Sequence, residues 1–287
     1  MPKQLNYYRV TTEEYRGWEC DGHEIKYIDD VKSIIKDLFG FNLGEFEKDN
    51  AVQLEIRSKL LSILFKDILK TGYNAKSKRV PNLIYSLNNE MKVEFLKSYI
   101  NGDGSKLIIE NFNYRPQVCI STSSVSEALT NDIIVLYSQL GLHANYQEAL
   151  IGSHEVKKTG QKLPESLATR SLLTNPDSAY TLGYLNEAPL ENKGKSCIEK
   201  FIPVPIKYKK EWKFRDRIRI NKNLALKIAK KFKDNELKRL ASAEFLFLRV
   251  NKINKVKPST GYAYDLTVPG YENFVGGRGG IFLHNTK

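Results

Sequence analysis

The chain has 287 residues, of which 41% are apolar, and its 45 Lys and Arg against 33 Asp and Glu give a net charge of +12. This composition excludes a wholly disordered chain and allows one large or two ordinary domains. No uncharged apolar run reaches the ~18 residues of a membrane span, and MPKQLNYYRV lacks the apolar core of a signal peptide. Cys20, Cys119 and Cys197 are too scattered for a disulfide framework or a CxxC metal site, so the expected setting is reducing and cytoplasmic, with no membrane partner.

In chain order, YYRV at residues 7–10 alternates as a strand. Val31, Ile34, Ile35, Leu38 and Phe39 follow at helical spacing, stopped by Gly40. VQLEI is the next strand. Ser58 then caps a helix carrying Leu60, Leu61, Leu64, Phe65 and Ile68, with Gly72 behind it. Met91, Phe95, Leu96, Tyr99 and Ile100 form one helical face, ended by Asn101, Gly102, Asp103 and Gly104. LIIENF and QVCIS read as strands, with Cys119 turned inward, and Val125 to Leu140 as a helix ended by Gly141. ANYQEAL is a further strand, and the joints KDLFGFNLGEF and SQLGLHANYQE look alike, which points to a duplicated α/β unit. Residues 152–168 read as a polar loop and 186–196 as a boundary. Residues 245–283, with their β-branched and aromatic side chains between Gly turns, read as short strands. His23, His143 and His154 show no ligand spacing.

The excess charge is local. Residues 1–192 carry 22 basic and 25 acidic side chains, whereas residues 193–257 carry 21 and 6, a net +15. Such a block attracts a polyanion, because each neutralised phosphate releases counterions. Lys207, Lys209, Lys210, Lys213, Arg215, Arg217 and Arg219 crowd one stretch of it, interleaved by Tyr208, Trp212 and Phe214. A solvated basic surface is the bland alternative, and the three aromatics could equally be the core of a small subdomain.

Asp103 stands at the end of an apolar helix, at the negative pole of its dipole, where a cation must compensate it. Mg²⁺ suits that place, since it uses one or two carboxylates and completes its shell with phosphate and water. From these residues alone, a helix end with an Asp-Gly turn is the simpler reading. Upstream, Lys76, Lys78 and Arg79 in AKSKRVP could hold a phosphate or polarise a water.

As an ordered set, these segments resemble the LAGLIDADG homing endonucleases over roughly residues 25–150: KRVP, an apolar stretch, a helix, then LKSYINGDG with Asp103 at the eighth place of the motif. The resemblance implies a saddle of antiparallel strands over double-stranded DNA, with two motif helices that each give one metal-binding carboxylate. It also implies a lysine that assists hydrolysis, carried by position onto Lys78, with Lys76 as the rival. Lys76 and Arg79 join the expected DNA contacts. Only one such motif is found here, and one carboxylate cannot build a two-carboxylate site.

The tail has its own chemistry. The side-chain amide of Asn285 can attack its own carbonyl carbon, form a succinimide and release Thr286. His284 can assist as an acid, and Thr286 offers a hydroxyl nucleophile. YDLTVPGYENFVGG with GIFLHNT resembles the C-terminal splicing blocks of inteins, which have the Hint fold, over roughly residues 245–286. By position, Asn285 cyclises, His284 assists, Asp265 matches an acidic residue used around the junction, and Thr286 begins the host protein. Many inteins have a histidine where this chain has Glu272. No N-terminal splicing block is found, so the expected partner is the missing N-terminal intein half or the host protein.

The expectation is therefore an α+β chain with a LAGLIDADG-like α/β saddle at 1–185 and a basic DNA-contacting insert at 193–244. The C-terminal part of an all-β Hint domain follows at 245–287. The alternatives are an inactive DNA-binding remnant, a half-endonuclease that dimerises, and a split-intein piece spliced in trans.

Overall fold

The computed structural model describes residues 23–48, 51–109, 117–155, 162–163, 165–187, 201–208, 219–248, 250, 252–262 and 265–284. The expected strand at 7–10 lies outside them, as do Cys20, Cys197, Lys209, Lys210, Trp212, Lys213, Phe214, Arg215, Arg217, Asn285 and Thr286. The chain mixes helix and sheet, as expected, and divides into two compact units. One takes residues 1–106, 120–136 and 146–172, the other residues 107–119, 137–145 and 173–287. Among the described residues no helix is long and apolar enough to cross a membrane.

The first element is α1, His23–Phe39, eight residues longer at its start than the apolar spacing predicts. Gly40 ends it with φ 71, its amide bonding Lys36 O at 2.8 Å. The hairpin of β1 (Gly44–Lys48) and β2 (Ala51–Glu55) follows, antiparallel, with Phe46 opposite Gln53. Ser58 caps α2 (Lys59–Ile63), its Oγ accepting from the Leu61 amide at 3.2 Å. The helix then widens into a π turn, Leu64–Ile68. Beyond it Gly72 adopts φ +92, and a Cβ there would lie 2.1 Å from Ser77 O. Only glycine fits, since both the backbone angle and the space exclude a side chain.

The long helix α3, Asn89–Asp103, is capped by the Asn88 side chain, which accepts from the Met91 amide at 2.9 Å. Lys92, Leu96 and Ile100 are its buried residues, and Met91 is 53% exposed. Leu96 and Ile100 are buried as expected, Met91 is not, and the aliphatic stem of Lys92 is covered in its place. The helix continues through Asn101, Gly102 and Asp103 and stops at Gly104, where a Cβ would meet Ile100 O at 2.6 Å.

Strands β3 (Gly104–Ile109), β4 (Gln117–Ser124) and β5 (Asn145–Ile151) fall where the sequence predicts them, and α4 (Glu127–Gln139) lies between the last two. Val118, Ile120 and Thr122 are the buried side of β4, so Cys119 faces the other way and is half-buried, contrary to expectation. The expected loop at 152–168 holds a short ladder of β6 (His154–Glu155) and β7 (Lys162–Leu163), and by Ser166 a further strand has begun. That strand, β8 (Ser166–Leu173), sits inside a four-stranded sheet of order β3-β4-β8-β5. Its buried Thr169 and Ser171 are satisfied in place: Thr169 Oγ1 donates to Thr130 Oγ1 at 2.8 Å, and Ser171 Oγ lies 2.8 Å from Thr122 Oγ1.

The two look-alike joints are alike in three dimensions. Gly40 and Gly141 end their helices with φ 71 and 72, and β1 and β5 each begin four residues after the glycine. A short helix α5, Pro176–Thr181, closes this part of the chain.

In the second unit β9 (Phe201–Pro203) and β10 (Arg219–Asn221) pair antiparallel. Next come α6 (Lys222–Phe232) and α7 (Asn235–Ser242). Ile202, Tyr208, Ile220, Ile228 and Leu237 share a small core here. The tail is less regular than expected. Among the described residues of 245–284, the strands are β11 (Asn273–Gly276) and β12 (Ile281–His284), paired antiparallel with Asn273 opposite His284. YDLTV forms no strand over its described residues, and Ile253, Val256 and Tyr271 are 85%, 83% and 75% exposed.

Candidate functional site

Asp103 is the last residue of α3 and is exposed, with glycines on either side of it. One turn earlier, the Tyr99 phenol is pushed up to about 12, first by burial and then by the Asp103 charge, against which its hydrogen bond with Thr122 acts. Lys106 follows in β3, where its Nζ donates to Asn101 Oδ1 at 2.6 Å. Burial first, then the neighbouring Lys97 charge, lowers the Lys106 ammonium below the usual lysine range. Lys106 thus stands among polar and basic neighbours, Asn101 and Lys97, near the end of α3. The sequence reading overlooked it; the signal was its place three residues after Asp103.

Lys76 and Lys78 stand on a stapled loop. Asn74 Oδ1 accepts from the amides of Lys76 and Ser77 at 3.0 and 2.9 Å, and the Arg79 amide donates to Thr71 O at 3.1 Å. Both lysines are exposed. The peptide around Lys78 is pinned on both sides, to Ser126 just before α4 and to Asp132 within it. Ser126 Oγ donates to Lys78 O at 2.8 Å, and the Val80 amide donates to Asp132 Oδ2 at 3.1 Å. Arg79 completes the clamp, with Nε 2.6 Å and Nη2 2.8 Å from the two Asp132 oxygens. That bond, ahead of the opposing effect of burial, raises the Arg79 guanidinium further. Burial and the same carboxylate push the Tyr85 phenol up. Arg79, an expected DNA contact, pairs through Nε and Nη2 with Asp132 while its side chain stays 52% exposed.

Of the remaining expected DNA contacts that are described, Lys207 pairs with Asp234 Oδ2 at 2.8 Å and Arg219 lies over the Phe201 ring at 5.1 Å. Asp234 also accepts from the Tyr208 hydroxyl at 2.8 Å and caps α7 through the Leu237 amide at 3.1 Å. These donors, Lys207 foremost, hold its carboxyl well below the usual range. Tyr208 is core, as one of the two sequence readings allowed. Lys207 and Arg219 are both exposed, and further exposed charge lies on the two helices. Lys227, Lys230, Lys231, Lys233, Lys238 and Arg239 are all exposed, whereas Ala225, Ile228, Ala229 and Leu237 are buried. The net charge of the segment pointed to this surface without naming its residues.

Among the described residues no group of three or more His, Cys, Asp and Glu could hold a metal ion. Asp103 offers one accessible carboxylate beside the carbonyls of a helix end. That fits a hard cation sharing its shell with phosphate and water, and does not fit a fully protein-bound one. In the tail, Asp265 Oδ1 accepts from the Leu266 amide at 2.9 Å, and His284 Nε2 lies 3.6 Å from Glu272 Oε2.

No protein-family model matches the chain. It is 26% identical over 266 residues to transcription initiation factor IIB of Methanocaldococcus jannaschii, covering 93% of this chain and 26% of that protein. It is 25% identical over 294 residues to a DNA polymerase of a Thermococcus species, covering 99% of this chain and 15% of the polymerase. The chain thus spans a small part of the length of the curated relatives it matches. A solved structure of a variant of the homing endonuclease I-DmoI, in complex with its target DNA in the presence of Mg, aligns with TM-score 0.37 and 13% identity, over 63% of this chain and 89% of that one.

Proposed function

We propose that this chain is part of an intein carrying a LAGLIDADG homing endonuclease: a Mg²⁺-dependent module that cuts double-stranded DNA, followed by a C-terminal splicing site. One observation carries the reading. Nearly the whole chain aligns with 26% of a transcription factor and with 15% of a DNA polymerase, proteins whose names describe different tasks. A stretch common to both belongs to the machinery of neither and reads as an insert. The LKSYINGDG and GIFLHNT motifs say which kind.

In the nuclease, Asp103 holds the cation with phosphate and water, and the cation, when bound, supplies Lewis-acid stabilisation of the phosphate oxygens. Lys78, clamped to α4, assists hydrolysis, with Lys76 on the same loop as the alternative. The exposed cations of α6 and α7 track the DNA backbone together with the basic stretch before them.

At the splicing site the Asn285 side-chain nitrogen bonds to its own main-chain carbonyl carbon as the C–N bond to Thr286 breaks. One proton leaves the attacking amide and one arrives on the Thr286 nitrogen, so a succinimide and a free amine result with no water consumed. His284 serves as the acid. The exposure of Ile253, Val256 and Tyr271 fits a tail that completes its packing against the other half of a splicing domain.

Intact-mass spectrometry of the purified chain tests the reading. Thr-Lys is expected to leave slowly at most, because proper orientation, on the order of 7–11 kcal/mol in favourable intramolecular systems, depends on a closed domain. An N-terminal intein half in trans should speed the release. His284→Ala should slow it by up to ~10²–10⁴-fold, and Asn285→Ala should block it. Equal release from Asn285→Ala would overturn the splicing assignment.

A further inference from the structure

We propose that Ser126 is a positioning residue for Lys78: one buried hydroxyl caps α4 and at the same time fixes the loop that carries the lysine. This rests on the nuclease reading above, in which Lys78 assists hydrolysis. Ser126 directly precedes α4 and is 0% exposed. Its Oγ accepts from the Leu129 amide at 3.2 Å, and its main-chain O accepts from the Thr130 amide at 3.2 Å, as an N-cap residue does. The serine is held in turn by Ser124, whose Oγ accepts from the Ser126 amide at 3.0 Å. Capping uses only the acceptor side of a hydroxyl. Its single proton is left over, and here that proton goes to Lys78 O at 2.8 Å, across 48 positions of chain.

The bond reaches a peptide unit whose other end is held as well. Between Lys78 and Arg79, the carbonyl is on Ser126 and the amide donates to Thr71 O at 3.1 Å. The next amide, that of Val80, donates to Asp132 Oδ2 at 3.1 Å. Together these fix the backbone of Lys78, at φ −57 and ψ 139, against the start of α4. Lys76 is tied differently, through its amide to Asn74 within the same turn. Ser126 and Val80 are interior, 0% and 3% exposed, whereas Lys78 is exposed. A buried anchor beneath an exposed ammonium limits where the ammonium can go while leaving a phosphate free to approach it. A group speeds a chemical step only while it keeps its productive place, and a displacement of about 1 Å can lose about 100-fold. Ser126, being buried, meets no phosphate itself and acts through the backbone of Lys78.

The test uses the full chain with a segment carrying a second motif carboxylate supplied in trans, and supercoiled plasmid as the probe. Protein is kept in excess, so that the plateau rate reads chemistry and the half-saturating protein concentration reads binding. Ser126→Ala is compared with Ser126→Thr, which keeps the hydroxyl, and with Ser58→Ala. The last removes a matching cap, the 3.2 Å bond from the Leu61 amide at the start of α2. Urea unfolding places the two alanine variants on one stability scale. Ser126→Ala should lower the plateau rate roughly 10- to 100-fold, with the half-saturating protein and Mg²⁺ concentrations unchanged. Ser126→Thr and Ser58→Ala should cut like the wild type. If Ser126→Ala cuts as fast as Ser58→Ala, the serine is a helix cap alone and the proposal falls. A slowing that comes with a raised Mg²⁺ requirement puts the effect at Asp103 and overturns it too. Failure of the nuclease reading is seen separately, as a wild type that does not cut or cutting that survives Asp103→Asn.

Discussion

Asp132 is where the first unit is most exposed to a single substitution. Its carboxylate, on a residue 6% exposed, accepts from Arg79 twice and from the Val80 amide, and it bonds the Tyr85 hydroxyl. Asp132→Ala removes all of these partners at once. The Val80 amide belongs to a residue 3% exposed and would be left buried without an acceptor, at ~1–3 kcal/mol. Arg79 is 52% exposed at its side chain and returns to water, so its share is ~0–1 kcal/mol. Adding the Tyr85 bond at ~0.5–1.5 kcal/mol gives an expected loss of about 1.5–5.5 kcal/mol. Arg79→Ala strands the buried carboxylate and should cost about 2–3 kcal/mol, the low side for a broken buried pair, because the arginine is half open to solvent. Removing both partners removes the stranded charge as well, so the double variant should be more stable than the sum by at least ~1 kcal/mol. Urea unfolding followed by circular dichroism gives the free energies, and hydrogen exchange at the Val80 amide reports the clamp itself. Additivity within ~0.5 kcal/mol, or an unprotected Val80 amide in the wild type, would refute the clamp.

Other expectations follow from the same residues. On the proposed function, Mg²⁺-dependent double-strand cutting should appear once a segment carrying a second motif carboxylate is supplied in trans, and Asp103→Asn should abolish it; plasmid linearisation measures this, and robust cutting by the chain alone as a monomer would contradict the need for a second carboxylate. Binding to duplex DNA should weaken steeply with salt, each phosphate contact adding about −0.9 to the log–log slope. Replacing Lys227, Lys230 and Lys231 by Gln should flatten that slope, as read by fluorescence anisotropy. Asp234 has a depressed folded carboxyl, so its contribution to stability is full above the ordinary carboxylate value of 3.8 and is lost as pH falls below it toward the folded value. The stability gap between the wild type and Asp234→Asn should therefore be widest near neutrality and close in strong acid, as followed by urea midpoints across pH.

Much of residues 31–151 was legible because their punctuation is chemical. Ser58, Gly40 and Gly141 mark helix ends by capping and by left-handed φ, and each does so where the sequence says. Strand β8 was illegible for an equally physical reason. Its inward residues include Thr169 and Ser171, which are buried by hydroxyl partners on α4 and β4 that no local pattern reveals. The same holds for Arg79 and Lys207, whose carboxylate partners lie 53 and 27 positions away along the chain. Lysine-rich sequence declares charge, and only the fold says which cations are already engaged. Cys119 and Met91 were misassigned by one residue of strand or helix phase, the smallest error that changes a face.

The apolar ribbon of the tail bears on how this chain behaves in solution. Val250, Ile253, Val256 and Tyr262 stand 71–85% exposed, while the whole chain carries a net +12. Mutual repulsion keeps such ribbons apart at low ionic strength, and screening removes that protection once the Debye length shrinks to ~10 Å or less. Self-association through the tail should therefore rise with ionic strength, tail meeting tail once the repulsion is screened.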